Sequence, residues 1–356
     1  YMILDKPDFL LKNNTFTTIY GRNLLHELNI ILPDKYLIVT MEDLWEKFSN
    51  HFDKRMSGVV FVKSLDLNSL ENEYKKIKNY NAIVGIGGGQ ALDTAKFFSW
   101  KSNKKLFQVP TSMSVNATFG HRFAARINGN VNYMGWTVPE AVYIDFDIIK
   151  QAPKLINRTG ICEIMCYHTA HLDWIYADKI GKCEKKWPYD QSAVDEAQSV
   201  LDYMLGGIDD IRNVNDNGIK RLMNANAWGG AAFHNFGWNP RPIEGTDHFV
   251  FYSLEYHTKR PYIHGQPVNM GVYVGSLLHD HKAEEMFDYI IRAGVDIRPE
   301  SMGITWNDMG NALIKMKDYV NEIELWHSIV HDKKIDDNFI ADLKLKIDKK
   351  YSNFVE

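Results

Sequence analysis

Short apolar segments recur through roughly the first 150 residues and alternate with stretches in which apolar residues return every three or four positions. The short segments are rich in β-branched residues and are bounded by Gly, Pro or charged residues, as buried strands are. Strands that alternate with helices predict a parallel sheet of the α/β class. The predicted strands are 35–40, 58–63, 81–87, 106–110 and 141–146, and helices are predicted from about Glu42 and over 91–100.

The pattern changes after roughly residue 150, where the short segments give way to long ones with helical periodicity. We therefore expect two domains, an α/β domain over 1–152 and an all-α domain over 153–356. The polar stretch Asp178–Gln191 is predicted to be a surface loop. The predicted helices of the second domain are 192–211, 218–233, 247–257, 267–281 and 281–294.

Composition excludes several classes of protein. The 356 residues are 45% hydrophobic and 24% charged with a net charge of −4, which is typical of a globular protein without a positive field for nucleic acid or anionic membranes. Three cysteines do not make a disulfide framework. Residues 1–14 lack the basic segment and apolar core of a signal peptide, and no stretch approaches the roughly 18 apolar residues of a membrane span. We expect a cytoplasmic protein that acts on a small molecule.

A glycine triplet marks the first candidate site. Gly87, Gly88 and Gly89 lie where a predicted strand turns into a helix, so that backbone amides can point at an anion such as a diphosphate. A tight turn needs glycines even without a ligand. The triplet alone therefore does not distinguish an anion-binding site from a tight turn without a ligand.

The complete string GGGQALDTAK is more specific, because it resembles the GGGxxxDxAK element of iron-dependent alcohol dehydrogenases and glycerol-1-phosphate dehydrogenases. The resemblance implies a Rossmann-like domain that binds NAD or NADP through the glycine triplet and Asp93. Asp93 also suits the N-terminal dipole of the helix. The loop VPTSMS resembles the PT(S/A) loop of these families, which implies that Thr111 and Ser112 line the cofactor. Ser and Thr after Pro also form ordinary turns.

Glu42 bears on the choice between NAD and NADP. An acid after the first clear strand of such a domain can accept from the ribose 2′-hydroxyl and favour NAD. Glu42 is equally compatible with the first turn of a helix, and the Asp that the resembled families often have directly after the strand is replaced by Met41. The sequence therefore leaves NAD and NADP open.

Three separated segments resemble metal-binding elements of the same superfamily. GICEIMCYHTAHLDW resembles both the GMAEVIKYG element of dehydroquinate synthases and the GDLxxKYTAxxDW element of glycerol-1-phosphate dehydrogenases. RPIEGTDHFVFYSLE resembles the RPASGxEHxxSHxxE stretch of the latter family, and YIHGQPVNMGVYVG resembles the common HGxxVxxG element. The metal ligands that these resemblances imply are Glu163, His248 and His264.

One carboxylate and two neutral imidazoles would leave a coordination position of a divalent ion open for substrate. The ion would act as a Lewis acid on an alcohol or a carbonyl, which assists hydride transfer. Zinc, iron and nickel all accept this donor set. Any one of the 13 histidines is more often a surface or core residue, but the joint order of the three segments downstream of the glycine string favours a metal site.

Other residues of the helix predicted around the carboxylate ligand have open roles. His168 and His171 could be additional ligands, but helix packing or hydrogen bonding to a ligand is the preferred interpretation. Together with Tyr167 they are the candidates for a proton relay. Cys162 and Cys166 are interpreted as small buried residues.

The strings TAxxDW and RPxxGxxH favour the glycerol-1-phosphate dehydrogenase branch, although Glu163 replaces the Asp of that family and Tyr252 replaces a second His. The resemblance implies a dehydroquinate synthase-like fold and a metal-dependent, NAD(P)-linked oxidoreductase. Its substrate would be a small polyol, free or phosphorylated as in glycerol 1-phosphate, or the corresponding ketone or aldehyde. The alternative is a sugar-phosphate cyclase that uses NAD transiently, and a third hypothesis is a non-catalytic nucleotide-binding protein. A homo-oligomer is also implied.

Overall fold

The structure is a computed structural model that describes residues 17–235, 239–352 and 354. Residues 1–14, in which no signal peptide is expected, lie outside these ranges. Within these ranges, no helix combines the length and the apolar character needed to cross a membrane.

The chain divides into two compact units. The first comprises the described residues up to Asn157 together with Asn226–Asn235, and the second comprises Arg158–Ala225 and the described residues from 239 onward. The predicted boundary after residue 152 lies close to Asn157, where the first segment of this unit ends. Its second segment, Asn226–Asn235, is not predicted from the sequence. The limits of the two domains stay a prediction.

A six-stranded parallel sheet lies at the centre of the first unit. The strands in chain order are β1 (Thr17–Gly21), β2 (Tyr36–Thr40), β3 (Met56–Phe61), β4 (Ala82–Gly87), β5 (Lys105–Pro110), β6 (Phe123–Ile127), β7 (Asn130–Met134) and β8 (Ala141–Asp145). The sheet has the order β1-β8-β5-β4-β2-β3, and β6 and β7 form a separate antiparallel hairpin. All five predicted strands are confirmed. The sequence does not predict β1, because every residue of this edge strand is at least partly exposed and its TTIYG segment has no apolar run.

Alternate residues of the central strands are buried on opposite faces of the sheet. In β2, Tyr36 and Ile38 join one hydrophobic core, and Leu37 and Val39 join the other. A parallel sheet is covered on both faces, so its central strands appear in the sequence as continuous apolar runs. The helices along this part of the chain are α1 (Leu24–Ile31), α2 (Glu42–Phe48), α3 (Leu67–Lys76), α4 (Gly89–Ser102), α5 (Phe146–Gln151) and α6 (Lys154–Thr159).

The carboxyl ends of β2, β4 and β5 meet at one edge of the sheet. Gly87 ends β4 and is aligned with Pro110 at the end of β5, while β2 pairs with the other side of β4. The backbone N–H of Thr111 donates to the carbonyl of Gly87 over 3.0 Å. This edge therefore carries the glycine triplet, the Thr111 loop and the start of α2 at Glu42, which is where α/β sheets bind ligands.

The regular secondary structure among the described residues of the second unit is entirely helical. The predicted helices are present, and the predicted combination of an α/β part with a helical part is confirmed. The predicted helix 192–211 is interrupted after Leu205, where two glycines separate it from a short helix that begins at Ile208. The helices after Gly160 are α7 (Cys162–Lys179), α8 (Gln191–Leu205), α9 (Ile208–Asn213), α10 (Asp216–Asn235), α11 (Thr246–Thr258), α12 (Gly265–His279), α13 (Ala283–Arg292), α14 (Trp306–Ile314), α15 (Met316–Glu322) and α16 (Asp337–Tyr351).

Two glycines of α12 allow three helices to approach one another closely. A Cβ atom at Gly271 would lie 2.2 Å from the carbonyl oxygen of Asp247 in α11, and one at Gly275 would lie 2.8 Å from Cγ2 of Thr169 in α7. Because interiors are close-packed, a larger residue at either position would force the helices apart. The predicted metal ligands Glu163 and His248 lie in α7 and α11, and the third, His264, immediately precedes α12.

Gly271→Ala is expected to lower the free energy of unfolding by about 1–3 kcal/mol, because the added methyl group would overpack against a backbone carbonyl. Urea unfolding measures this change. Gly310→Ala is the matched control, since Gly310 also lies within a helix but its added Cβ would meet a side chain and not the backbone, namely Cγ2 of Ile340 at 3.2 Å. Equal destabilisation by the two substitutions would contradict the tight contact at Gly271.

Candidate metal and nucleotide sites

The three glycines at the end of β4 meet different steric conditions. Gly87 has a φ of +150°, and a Cβ there would lie 2.7 Å from the Cβ of Ala91. A Cβ at Gly89 would lie 2.8 Å from Cγ2 of Val115, whereas a Cβ at Gly88 would meet nothing nearer than Ser112 Oγ at 3.8 Å. Packing within the protein therefore explains Gly87 and Gly89 but does not explain Gly88.

The glycine turn opens a helix of 14 residues, α4, which begins at Gly89. The first amides of a helix lack partners within it, and its dipole is positive at this end, so the turn suits an anion. Thr111 and Ser112 are buried in the loop that follows the adjacent strand, and the Ser112 hydroxyl lies 3.0 Å from that of Ser114. The structure thus brings these five predicted cofactor residues to the edge of the sheet at which Glu42 also lies.

The two acidic residues predicted near the cofactor lie in different surroundings. Asp93 is buried, with Oδ1 2.6 Å from Lys96 Nζ and Oδ2 accepting from the Ala124 amide over 3.1 Å. Burial raises the pKa of Asp93, and Lys96 opposes that shift. These contacts connect α4 to the hairpin, so they give Asp93 a structural role, and its contact with a nucleotide stays a prediction. Glu42 is exposed as the first residue of α2. This position suits a contact with the ribose 2′-hydroxyl and an ordinary first-turn helix residue equally well.

The three predicted metal ligands lie together in the second unit. Glu163 and His248 are in the first turns of α7 and α11, and His264 immediately precedes α12. His264 Nε2 lies 3.1 Å from Glu163 Oε1, and the ring centroids of His248 and His264 are 5.3 Å apart. Glu163 and His248 are buried, whereas the side chain of His264 is 19% exposed.

Asp247 determines how the His248 ring is presented. Its Oδ1 lies 2.6 Å from His248 Nδ1. An ionised carboxylate only accepts hydrogen bonds, so Nδ1 carries the hydrogen and Nε2 is the nitrogen left for a metal. Metal-binding histidines are commonly oriented by such a bond on their second nitrogen.

Negative charge is concentrated around these imidazoles. Glu163, Glu244 and Asp247 are 4%, 7% and 0% exposed. Burial lowers the pKa of His248, but Glu244, Asp247 and Glu163 together outweigh it and raise that pKa to about 9. Burial raises the pKa of Glu244, and Asp247 and Glu163 add to this shift against the opposing effect of His248. A divalent cation bound among these carboxyl groups would offset their mutual repulsion. The donor set and its charge therefore fit a metal ion.

Two cysteine thiols lie beside the same cluster. The possible ligand atoms of Cys162, Glu163 and His264 lie within 4.8 Å of one another, as do those of Cys166, Asp247 and His248. Both cysteines are fully buried, as the sequence analysis expects. Burial, with the nearby carboxylates, raises the pKa of each thiol well above its usual value, so both thiols are protonated when no cation is bound.

The candidate proton relay residues of α7 do not titrate near neutral pH. Burial lowers the pKa of His168 to about 4 and that of His171 to about 3. Burial also raises the pKa of the Tyr167 hydroxyl well above 10. A general acid or base works best with a pKa near the working pH. All three side chains are therefore better suited to packing and hydrogen bonding than to proton relay.

Glu244 and Asp247 also belong to this cluster, although neither was predicted from the sequence. Glu244 accepts from the hydroxyl of Tyr252 over 3.1 Å, so the tyrosine that replaces the second His of the resembled motif contacts a buried carboxylate. The sequence feature that points to Asp247 as a partner of His248 is its position directly before that histidine in EGTDH. Its contact through Oδ1 depends on the conformation at the start of α11, which the string alone does not reveal.

Comparisons of sequence relate the chain to known dehydrogenases. A family model described as iron-containing alcohol dehydrogenase matches residues 24–153. The glycerol-1-phosphate dehydrogenase [NAD(P)+] of Thermofilum pendens is 24% identical over 292 residues, which cover 80% of this chain and 83% of that protein. The enzyme of the same name from Methanococcus aeolicus is 28% identical over 275 residues, covering 73% of this chain and 75% of that protein.

Comparisons of structure show the same fold in two glycerol dehydrogenases. A probable glycerol dehydrogenase from Sinorhizobium meliloti matches with a TM-score of 0.73 and 16% identity, over 94% of this chain and 96% of that one. The glycerol dehydrogenase of Schizosaccharomyces pombe matches with a TM-score of 0.70 and 17% identity, over 96% of this chain and 93% of that one. At these identities the likeness concerns the fold alone.

Zn²⁺ is expected to stabilise the folded protein, by about 2.7 kcal/mol at a free concentration 100-fold above its Kd. A rise in the thermal midpoint measures this effect, and Glu163→Ala or His264→Ala is expected to abolish it. His257→Ala is the control, because His257 lies in the same helix as His248 but near its other end. An undiminished rise in His264→Ala would contradict the site.

Proposed function

We propose that the chain is a member of the iron-containing alcohol dehydrogenase superfamily and a metal-dependent oxidoreductase that uses NAD or NADP. Its substrate is a small polyol, phosphorylated as in glycerol 1-phosphate or free, which it interconverts with the ketone or aldehyde. The names of the relatives favour this function over that of a sugar-phosphate cyclase, because the relatives are glycerol-1-phosphate dehydrogenases.

The observation that carries the proposal is the buried cluster of carboxylate and imidazole donors. Glu163, His248 and His264 would hold the metal through one oxygen and two nitrogens, and the buried carboxyl groups beside them would favour a divalent cation. A bound ion would supply Lewis-acid assistance to the oxygen of the substrate. Zinc, iron and nickel all suit these donors.

The edge of the parallel sheet supports the nucleotide part of the proposal. Amides at the start of α4 would bind the diphosphate, with Gly88 leaving room for its close approach. The hydroxyls of Thr111 and Ser112 would line the same nucleotide, and Glu42 would accept from the ribose 2′-hydroxyl of NAD. In the oxidative direction the substrate would lose a hydride to the nicotinamide ring and a proton to a base or to solvent.

We also propose that the protein works in the cytoplasm as a homo-oligomer. Its three cysteines are free, which suits a reducing compartment. Size-exclusion chromatography with light scattering measures the oligomeric state, and a monomer at all concentrations would contradict that part of the proposal.

With Zn²⁺, Fe²⁺ or Ni²⁺ bound, the protein is expected to oxidise NADH or NADPH in the presence of dihydroxyacetone phosphate or dihydroxyacetone. The loss of the near-ultraviolet absorbance of the reduced nicotinamide measures the rate. Glu163→Ala and His248→Ala are each expected to lower it by about 1000-fold or more, because Lewis-acid assistance worth several kcal/mol would be lost. Both variants are expected to stay folded and to bind nucleotide.

Two outcomes would contradict the proposal in different ways. Retained activity in a folded Glu163→Ala or His248→Ala variant would refute the assigned metal ligands. No loss of reduced nicotinamide with any ketone or aldehyde, while metal and NAD both bind, would instead favour the cyclase.

Gly88→Ala is expected to weaken nucleotide binding by about tenfold or more, because the methyl group would lie where the diphosphate approaches the backbone. Titration of protein with NADH, followed by nicotinamide fluorescence, measures the affinity. The unfolding midpoint is expected to stay unchanged, since the added Cβ meets no protein atom within 3.8 Å. Unchanged NADH affinity would contradict the assignment of the glycine turn, and Zn²⁺ affinity in the same variant provides the internal control.

A further inference from the structure

A hydrogen-bonded chain of buried side chains runs from α7 to His248. Thr169 Oγ1 donates to Asp247 Oδ2 over 2.6 Å, and Asp247 Oδ1 lies 2.6 Å from His248 Nδ1. The other acceptor near the Thr169 hydroxyl, the carbonyl of Cys166, is more distant at 3.2 Å. Thr169 and Asp247 are both 0% exposed, so water does not compete for these contacts.

The carboxylate of Asp247 is also bound by the backbone at the start of its own helix. The amides of Gly245 and His248 donate to Oδ1 over 3.3 and 2.8 Å. One oxygen therefore faces Thr169, and the other faces two amides and the imidazole. Both oxygens are directed at hydrogen-bond donors within the protein.

We propose that Thr169 and Asp247 are positioning residues that hold His248 for metal binding, an inference that rests on the proposed function. Asp247 keeps the hydrogen of His248 on Nδ1, which directs Nε2 to the metal. Thr169 holds the second oxygen of Asp247 and so prevents the carboxylate from rotating about its side chain. Neither residue binds the metal itself.

An alternative is that Asp247 is a ligand, because its carboxylate, Cys166 and His248 offer three possible ligand atoms within 4.8 Å of one another. Oδ1 already accepts from the His248 imidazole and from two amides, so a cation that bound this oxygen would have to displace one of these donors. Each displaced donor would be left buried without an acceptor, which is unfavourable. The geometry therefore favours Asp247 as a hydrogen-bond acceptor.

The first turn of α11 is held independently of Thr169. Asp173 Oδ2 accepts from the amide of Thr246 over 2.6 Å, and its Oδ1 accepts from the amide of Ile329 over 3.0 Å. Gly271 packs against the backbone of Asp247 from another side. Loss of the Thr169 hydroxyl is therefore expected to release the Asp247 carboxylate without changing the course of the helix.

The test is competition between the protein and a chromophoric chelator for Zn²⁺. T169V keeps the shape of the side chain and removes the hydroxyl, and D247N keeps the shape of the acid and removes its charge. Each is expected to weaken Zn²⁺ binding by about 10- to 100-fold, as substitutions of partners that orient metal ligands do. T169S restores the hydroxyl and is expected to bind Zn²⁺ as the wild type does. Circular dichroism and NADH binding check that the fold is kept.

The absorption spectrum of bound Co²⁺ separates a positioning residue from a ligand. At saturating Co²⁺, T169V and D247N are expected to keep the visible bands of the wild type, because the donor set is unchanged. Shifted bands in D247N, with Zn²⁺ affinity as low as in H248A, would show that Asp247 is a ligand and would overturn the proposal. Wild-type Zn²⁺ affinity in both T169V and D247N would also overturn it.

H248A distinguishes failure of this inference from failure of the proposed function. Wild-type Zn²⁺ affinity in H248A would refute the metal site itself, and with it the reason for positioning His248. Loss of Zn²⁺ in H248A, with no loss in T169V or D247N, would leave the metal site intact and refute only the positioning role.

Discussion

The burial of three carboxyl groups beside two imidazoles is the constraint on which the second unit depends. Glu163, Glu244 and Asp247 are buried beside two imidazoles, and their combined charge raises the pKa of His248 to about 9 against the opposing effect of burial. A bound cation would offset the mutual repulsion of these carboxyl groups. The close helix contacts at Gly271 and Gly275 hold these side chains at fixed separations, so the packing of the helices and the chemistry of the site are parts of one arrangement.

The first unit meets a different requirement, which is to present backbone amides to an anion. Parallel strands end at a common edge, and the loops after β4 and β5 are joined there by the bond from the Thr111 amide to the Gly87 carbonyl. Packing accounts for the glycines at 87 and 89, whereas Gly88 has free space around its Cα. A ligand that approaches the backbone would explain why that position lacks a side chain.

Much of this could be predicted from the sequence, because local patterns determine it. Strands buried on both faces give continuous apolar runs, and helices give three-to-four-residue spacing, so all the central strands and the main helices could be recognised. β1 could not, since its TTIYG segment has no apolar run and each of its residues is at least partly exposed. The contacts of Asp93 with Ala124 and of Thr169 with Asp247 join segments that only the tertiary fold brings together. The roles of those residues therefore depend on contacts that no motif records.

X-ray absorption spectroscopy at the zinc edge of the Zn²⁺-loaded protein would examine the proposed metal site most directly. If Glu163, His248 and His264 hold the ion, the inner shell should contain only nitrogen and oxygen, at about 2.0–2.2 Å, with outer-shell scattering from two imidazoles. A sulfur shell at about 2.3 Å would mean that Cys162 or Cys166 is a ligand, and that result, or the absence of imidazole scattering, would contradict the assignment.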